Sequence, residues 1–135
     1  MTLNILVVDD SETVRAIVGK TLRIAGIPVS QLHQAANGRE ALEILQENWV
    51  DLVLSDINMP EMGGVEMLER MQQDELLKTI PVIVVSTEGS ATRIEALQSL
   101  GVRAYIRKPF NPEQLRAVIV DILGEFDASD ETNPR

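Results

Sequence analysis

Five short apolar runs, each separated from the next by a longer amphipathic stretch, limit this chain to very few folds. The runs cover residues 4–8, 31–35, 50–55, 80–85 and 104–107. Short runs rich in Val, Ile and Leu predict strands, whereas the stretches between them repeat apolar residues at helical spacing. Strands that alternate with helices in this way predict an α/β protein with a parallel sheet.

The order of the strands follows from how polar each run is. The first, third and fourth runs are almost entirely apolar, which suits central strands covered by helices on both faces. The second and fifth runs contain polar residues, as expected at the edges of a sheet. With right-handed crossovers, this predicts a doubly wound (βα)5 sheet of the flavodoxin-like type with strand order 2-1-3-4-5.

Capping residues predict where three of the helices begin or end. Gly26 is expected to end the first helix, which spans residues 11–25. Asn37 is followed three residues later by Glu40, a pair typical of a capping box. Asn111, with Pro112 and then Gln114, gives the same signal for the last helix.

Length and charge indicate one folded domain with a polar end. The chain has 135 residues, which suits a single core. We expect residues 1–124 to form that domain. Residues 125–135 carry four acidic side chains and one arginine and no apolar pattern, so we expect an acidic, disordered tail.

Composition excludes several classes of function. The chain has no cysteine, which excludes disulfides, thiolate metal sites and cysteine nucleophiles. Its net charge of −9 repels phosphate backbones and argues against direct nucleic-acid binding. No apolar run approaches the ~20 residues that span a bilayer, and no signal peptide is recognisable. We therefore expect a soluble, cytoplasmic protein without a membrane partner.

Three carboxylates follow the first and third strands. Asp9 and Asp10 come directly after the first, and Asp56 comes directly after the third. In the predicted strand order these strands are neighbours, so their carboxyl ends meet at one crevice. Clustered carboxylates need a cation to offset their repulsion, and an all-oxygen set without His or Cys points to Mg²⁺.

Two further polar groups follow the fourth and fifth strands. Ser86 should lie beside Asp56, and the long side chain of Lys108 should reach across to it. A carboxylate, a metal, a hydroxyl and a cation together suit in-line phosphoryl transfer to Asp56. Each residue alone has a structural explanation, as a cap, a turn residue or a solvated charge. Their joint position at the carboxyl ends of the strands favours a site.

Four motifs in this order and spacing resemble the receiver domain of response regulators, in particular the stand-alone CheY-type regulators. They read ILVVDDS, DLVLSDINMPEMGG, IPVIVVSTE and YIRKPF, and the resemblance extends from residue 5 to about residue 123. It implies a single-domain response regulator of a two-component phosphorelay with a CheY-like fold, a type of regulator that acts in chemotaxis.

The resemblance also implies roles for the site residues. Asp56 would accept a phosphoryl group from the phosphohistidine of a histidine kinase or phosphotransfer protein. Asp9, Asp10 and Asp56, with the backbone carbonyl of Asn58, would hold Mg²⁺. Lys108 would contact the phosphoryl group. The protein would catalyse its own phosphorylation and dephosphorylation without turning over a separate substrate.

The resemblance implies a switch as well. Ser86 would contact the phosphoryl group, and Tyr105 would turn inward when that hydroxyl is drawn to it. The surface of the fourth helix, fifth strand and fifth helix would then bind a downstream protein. Thr87 stands where alanine or glycine is usual, so we expect Thr87, with Glu88 beside it, to modulate access of small phosphodonors and phosphatases.

Three alternatives use part of the same pattern. An aspartate-nucleophile phosphohydrolase would carry a second carboxylate where this chain has Asn58. A receiver that is never phosphorylated would be expected to lack some of the site residues, all of which are present here. A flavodoxin-like cofactor protein would need a phosphate-cradling loop and more aromatic residues than the 3% found here.

Overall fold

The computed structural model describes residues 2–87 and 91–124, and it confirms the predicted sheet. All five strands are parallel and lie in the order β2-β1-β3-β4-β5. Their bounds are β1 Leu3–Val8, β2 Val29–Ala35, β3 Leu52–Ser55, β4 Val82–Ser86 and β5 Ala104–Arg107. The two strands with polar residues are at the edges, as expected from their sequences.

Five α-helices connect or follow these strands. They are α1 Glu12–Ile24, α2 Gly38–Glu47, α3 Gly64–Gln72, α4 Ala91–Ser99 and α5 Pro112–Leu123. The side chain of Asn37 accepts a hydrogen bond from the amide of Glu40, and Asn111 and Gln114 form a complete capping box. The predicted N-caps Asn37 and Asn111 are therefore confirmed, but the Glu40 side chain accepts from the amide of Ala36 and so does not complete a capping box at α2.

Alternate residues of the central strands pack against helices on opposite faces of the sheet. On one face, residues such as Val8, Val53 and Val84 pack with α2, α3 and α4. On the other, Val7 and Leu54 pack with α1 and α5. Because both faces of β1, β3 and β4 are covered, those strands need the continuous apolar sequences that they have.

Three element bounds differ from the predicted ones. A short 3-10 helix, Leu77–Thr79, precedes the fourth strand, and the sequence analysis did not predict it. Ile80 follows that turn and Pro81 has no amide hydrogen to donate, so β4 begins only at Val82. The third strand begins at Leu52 instead of residue 50, and the second extends back to Val29.

Two predictions concern residues that lie outside the described ranges. The acidic tail at 125–135 is one, so the domain boundary at residue 124 stays a prediction. Glu88, expected to modulate the site, is the other. Within residues 2–87 and 91–124, no helix has both the length and the apolar character needed to cross a bilayer.

Candidate functional site

Asp9 and Asp56 continue the sheet one residue beyond the ends of β1 and β3. The amide of Asp9 donates to the carbonyl of Ala35 at 3.0 Å, and the amide of Asp56 donates to the carbonyl of Val8 at 2.9 Å. Asp10 is the next residue in the chain. Carboxylate oxygens of Asp9, Asp10 and Asp56 all lie within 4.8 Å of one another. The structure thus brings together the three carboxylates that the sequence predicted to converge.

The carboxylate of Asp56 lies in a partly desolvated position. Its side chain is 18% exposed, and its Oδ1 accepts a hydrogen bond from the amide of Ile57 at 2.7 Å. Burial raises the pKa of Asp56 above its ordinary value, and the negative charges of Asp9 and Asp10 add to this effect. The Ile57 amide and Lys108 act in the opposite direction without reversing it. The ionised form is therefore short of compensating positive charge.

Among the described residues, Lys108 is the one whose positive charge forms an ion pair with Asp56. Its Nζ is 3.1 Å from Oδ2 of Asp9 and 3.6 Å from Oδ2 of Asp56. The peptide bond from Lys108 to Pro109 is cis, and the amide of Lys108 donates to the carbonyl of Ser86 at 2.9 Å. One ammonium group thus bridges two carboxylates that the fold places on adjacent strands.

The donor set suits a divalent cation that prefers oxygen. Mg²⁺ binds through one or two carboxylates and keeps several waters, so it needs exposed as well as buried ligands. Asp9 is buried, whereas Asp10 and Asn58 are exposed. These residues therefore fit Mg²⁺, and their individual roles as ligands stay predictions.

The two residues of the predicted switch share one face of the sheet. Ser86 ends β4 and is 1% exposed. Tyr105 pairs in register with Val84, two residues before Ser86, so Ser86 and Tyr105 point to the same side. The hydroxyl of Tyr105 is buried, and no described residue hydrogen-bonds it. Thr87 is exposed immediately after β4. What these residues do on phosphorylation stays a prediction.

A tight turn supports the loop that carries Asp56. The amide of Gly64 donates to the carbonyl of Ile57 at 2.7 Å, and the hydroxyl of Ser55 donates to the carbonyl of Asp56 at 2.7 Å. A Cβ placed on Gly64 would lie 2.6 Å from the carbonyl oxygen of Asp56. The second glycine of the Gly63-Gly64 pair is therefore required by close backbone packing.

Sequence reasoning missed Arg15. Its guanidinium donates from Nη1 to the backbone carbonyl of Asp9 at 2.7 Å and from Nε to Oε1 of Gln34 at 3.0 Å. The available signal was a basic residue in the first turns of the helix that begins directly after an acidic pair. That signal is weak, because basic residues on exposed helix faces are common.

The chain is similar to known proteins over most of its length. Residues 5–120 match the sequence profile described as "Response regulator receiver domain". A chemotaxis protein CheY homolog of Campylobacter jejuni is 37% identical over 123 residues, which cover 90% of this chain and 93% of that protein. Chemotaxis protein CheY1 of Helicobacter pylori is 36% identical over 126 residues, covering 93% of this chain and 100% of that protein. The solved structure of chemotaxis response regulator CheY4 of Vibrio cholerae is 34% identical and has a TM-score of 0.80, with 91% of this chain and 100% of that chain covered.

Proposed function

The chain belongs to the response regulator receiver domain family and is a response regulator of two-component signalling, and from this premise we propose that Asp56 is its phosphoacceptor. The donor is the phosphohistidine of a histidine kinase or of a phosphotransfer protein. A carboxylate oxygen of Asp56 forms a bond to phosphorus while the bond from phosphorus to the donor nitrogen breaks. The electron pair of that bond stays on the imidazole, and Asp56 becomes an acyl phosphate.

One observation carries this proposal. Asp56 is the partly buried member of a three-carboxylate cluster, and its pKa is raised by burial even though Lys108 lies 3.6 Å away. A bound cation such as Mg²⁺ would stabilise the ionised form of this carboxylate. Lys108 and such a cation together would also attract the negatively charged phosphoryl group. Titratable groups whose pKa is shifted by burial and by neighbouring charges at a cleft are typical of reactive sites.

The other site residues position and neutralise the incoming group. Asp9, Asp10 and the carbonyl of Asn58 would hold Mg²⁺ with Asp56, and Asp9 also orients Lys108 through its Oδ2 contact. Mg²⁺ held by these residues would supply positive charge that offsets the charge of the phosphoryl group. Lys108, whose Nζ lies 3.6 Å from Oδ2 of Asp56, would neutralise an oxygen of the phosphoryl group, where charge is concentrated in the transition state.

We infer that phosphorylation is transmitted through Ser86 and Tyr105. Phosphorylation adds close to two negative charges and strong acceptor oxygens, which draw the hydroxyl of Ser86 toward Asp56. Tyr105 shares the face of the sheet with Ser86 and its hydroxyl has no described partner to lose, so it can move into the space released. The surface of α4, β5 and α5 then binds a downstream protein in the cytoplasm. The named relatives make chemotaxis the favoured pathway.

Phosphorylation with acetyl phosphate and Mg²⁺ tests the proposal. The wild-type protein should take up one phosphoryl group per chain, and Asp56→Asn should take up none. Asp121→Asn is the matched control, because Asp121 is an exposed residue of α5 and should be labelled like the wild type. Normal labelling of Asp56→Asn would show that the phosphoacceptor lies elsewhere.

We also propose that the protein does not turn over a separate phosphate ester. Where an aspartate-nucleophile phosphohydrolase would have an acid, this chain has Asn58. The only phosphate released should be that first bound to Asp56. Steady-state release of many equivalents of p-nitrophenol from p-nitrophenyl phosphate would contradict this and favour an enzyme.

A further inference from the structure

Every polar atom of Asp9 has a hydrogen-bond partner, and one partner is a residue that the proposed chemistry does not use. The amide of Asp9 donates to Ala35, its Oδ1 accepts from the amide of Ser11 at 2.9 Å, and its Oδ2 accepts from Lys108. Its backbone carbonyl accepts from Nη1 of Arg15 at 2.7 Å. Asp9 is therefore fixed from four directions.

The carbonyl that Arg15 binds belongs to the peptide unit between Asp9 and Asp10. Because a peptide unit is planar, holding its oxygen also sets the direction from which Asp10 leaves it. Asp10 itself is exposed, so the packing of its side chain does little to fix its carboxylate. The orientation of that carboxylate consequently depends on the peptide plane that Arg15 holds.

The second arm of Arg15 reaches the edge strand. Its Nε donates to Oε1 of Gln34 at 3.0 Å, and Gln34 lies on β2 in register with Val7 of β1. The backbone of Arg15 is anchored in the first turn of α1, where its amide donates to the carbonyl of Ser11 at 3.0 Å. A planar guanidinium can bind two acceptors on different elements at once, which a lysine ammonium does with much less geometric definition.

We propose that Arg15 is a positioning residue of the acidic site, which braces the Asp9–Asp10 peptide against β2 so that Asp10 is oriented for a divalent cation. This inference rests on the proposed function, in which Asp10 is a Mg²⁺ ligand. The charge of Arg15 works against a nearby cation, so removing only its charge would strengthen Mg²⁺ binding. Removing its brace would weaken binding, and the sign of the change therefore separates the two effects.

Isothermal titration calorimetry with Mg²⁺ alone measures whether the affinity for Mg²⁺ rises or falls. Arg15→Gln should raise the Kd for Mg²⁺ by about 10-fold, the low end of the loss seen when a group that orients a metal ligand is removed. Arg23→Gln is the matched control, because Arg23 is exposed in the last turn of the same helix, and its Kd should not change. Arg15→Lys keeps the positive charge but lacks the planar guanidinium that reaches both acceptors, so this variant should bind Mg²⁺ more weakly than the wild type. A Kd for Arg15→Gln equal to or below that of the wild type would overturn the proposal, and so would full recovery by Arg15→Lys.

Amide hydrogen exchange of the metal-free protein gives a second readout that needs no Mg²⁺. The amides of Asp9, Asp10 and Ser11 should exchange about fivefold faster in Arg15→Gln, the effect of losing one hydrogen bond from the loop. Unchanged exchange together with unchanged Mg²⁺ affinity would refute the role of Arg15 and leave the proposed function standing. A wild-type protein that binds no Mg²⁺ would refute the proposed function, and the exchange rates would still test the brace.

Gln34→Ala keeps the proposal testable if Arg15→Gln does not fold. This variant leaves the contact between Arg15 and the Asp9 carbonyl but removes the second acceptor on β2. Mg²⁺ should bind more weakly than in the wild type, with a smaller loss than in Arg15→Gln. Because Gln34 is exposed and carries no charge, unchanged affinity in Gln34→Ala would overturn the proposal that β2 braces the loop.

Discussion

The ammonium group of Lys108 lies 3.6 Å from Oδ2 of Asp56 and 3.1 Å from Oδ2 of Asp9, so it contacts both carboxylates and is closer to Asp9. The approach of Lys108 to Asp56 brings a cation to the side of the site where a phosphoryl oxygen would be placed. In the proposed mechanism, a cation in that position would stabilise the transition state of phosphoryl transfer.

Lys108→Gln should therefore separate phosphorylation from metal binding. Mg²⁺ should bind at least as tightly as in the wild type, because a competing positive charge is removed. The rate of labelling with acetyl phosphate should fall about 100-fold, the typical effect of losing one group that stabilises developing charge. Lys20→Gln, at an exposed position of α1, serves as the control for charge. Loss of Mg²⁺ binding in Lys108→Gln would show that the lysine supports the metal site instead.

The raised pKa of Asp56 predicts that Asp56→Asn is more stable than the wild type at neutral pH without Mg²⁺. The folded state binds the Asp56 proton more tightly than the unfolded state, for which the ordinary value is 3.8, mainly because the carboxyl is buried. The ionised carboxylate therefore destabilises the fold at any pH above the raised value. Asparagine removes that effect without changing the shape of the side chain.

The advantage of Asp56→Asn should shrink as the pH falls through the raised pKa of Asp56 and disappear below the ordinary value of 3.8, where the wild-type carboxyl is protonated in both states. Thermal unfolding of both proteins across this pH range measures the difference. Saturating Mg²⁺ should stabilise the wild type more than Asp56→Asn, because only the wild type has the complete ligand set. A wild type that is the more stable protein at pH 7 without metal would contradict the account of Asp56.

Gly64→Ala should destabilise the protein by about 2 kcal/mol, the usual cost of forcing an extra carbon into a packed region. The new Cβ would lie 2.6 Å from the carbonyl of Asp56 and 3.0 Å from Cα of Ile57, and backbone atoms cannot move aside easily. Gly19→Ala in α1 is the control, because its Cβ would meet only the end of the Leu32 side chain. That change should alter the free energy of unfolding by less than about 1 kcal/mol, since alanine favours a helix. Equal effects at the two positions would argue against a close approach at Gly64.

Trp49 should not report on the metal site. The chain's single tryptophan precedes β3, whereas Asp56 follows it, and the four residues of that strand span about 13 Å. Its indole N–H donates to Oδ1 of Asp51 at 2.8 Å, so the ring is held at the far end of the sheet. Mg²⁺ should leave its fluorescence nearly unchanged, whereas a Met59→Trp, Trp49→Phe double variant should respond. Strong quenching of Trp49 by Mg²⁺ would contradict this placement.

The sequence was sufficient for the fold because local and global signals agree. The apolar runs define the central strands, and Asn37 and Asn111 mark helix starts through their own side chains, so no tertiary information was needed. The 3-10 helix at Leu77–Thr79 escaped prediction because such turns lack a distinctive periodicity. Because of this turn, the fourth strand begins two residues later than predicted, at Val82.

The sequence predicted which residues of the site lie close together, but it did not predict the contacts that they make. Strand order brings Asp9 and Asp56 together, because parallel strands end at the same edge of the sheet. The contact of Lys108 with Asp9 depends on side-chain rotamers and on the path of the loop after β5, which no pattern of residues specifies. The contact of Arg15 with a backbone carbonyl left no trace in the sequence beyond an ordinary basic residue.

A crystal structure with Mg²⁺ and beryllofluoride, which mimics a phosphoryl group, tests the central claim most directly. The account predicts beryllium bonded to a carboxylate oxygen of Asp56 and Mg²⁺ bound by Asp9, Asp10, Asp56 and the carbonyl of Asn58. The amino group of Lys108 should contact a fluorine. A site without either group at saturating concentrations, or Lys108 turned away into solvent, would contradict phosphoryl transfer to Asp56.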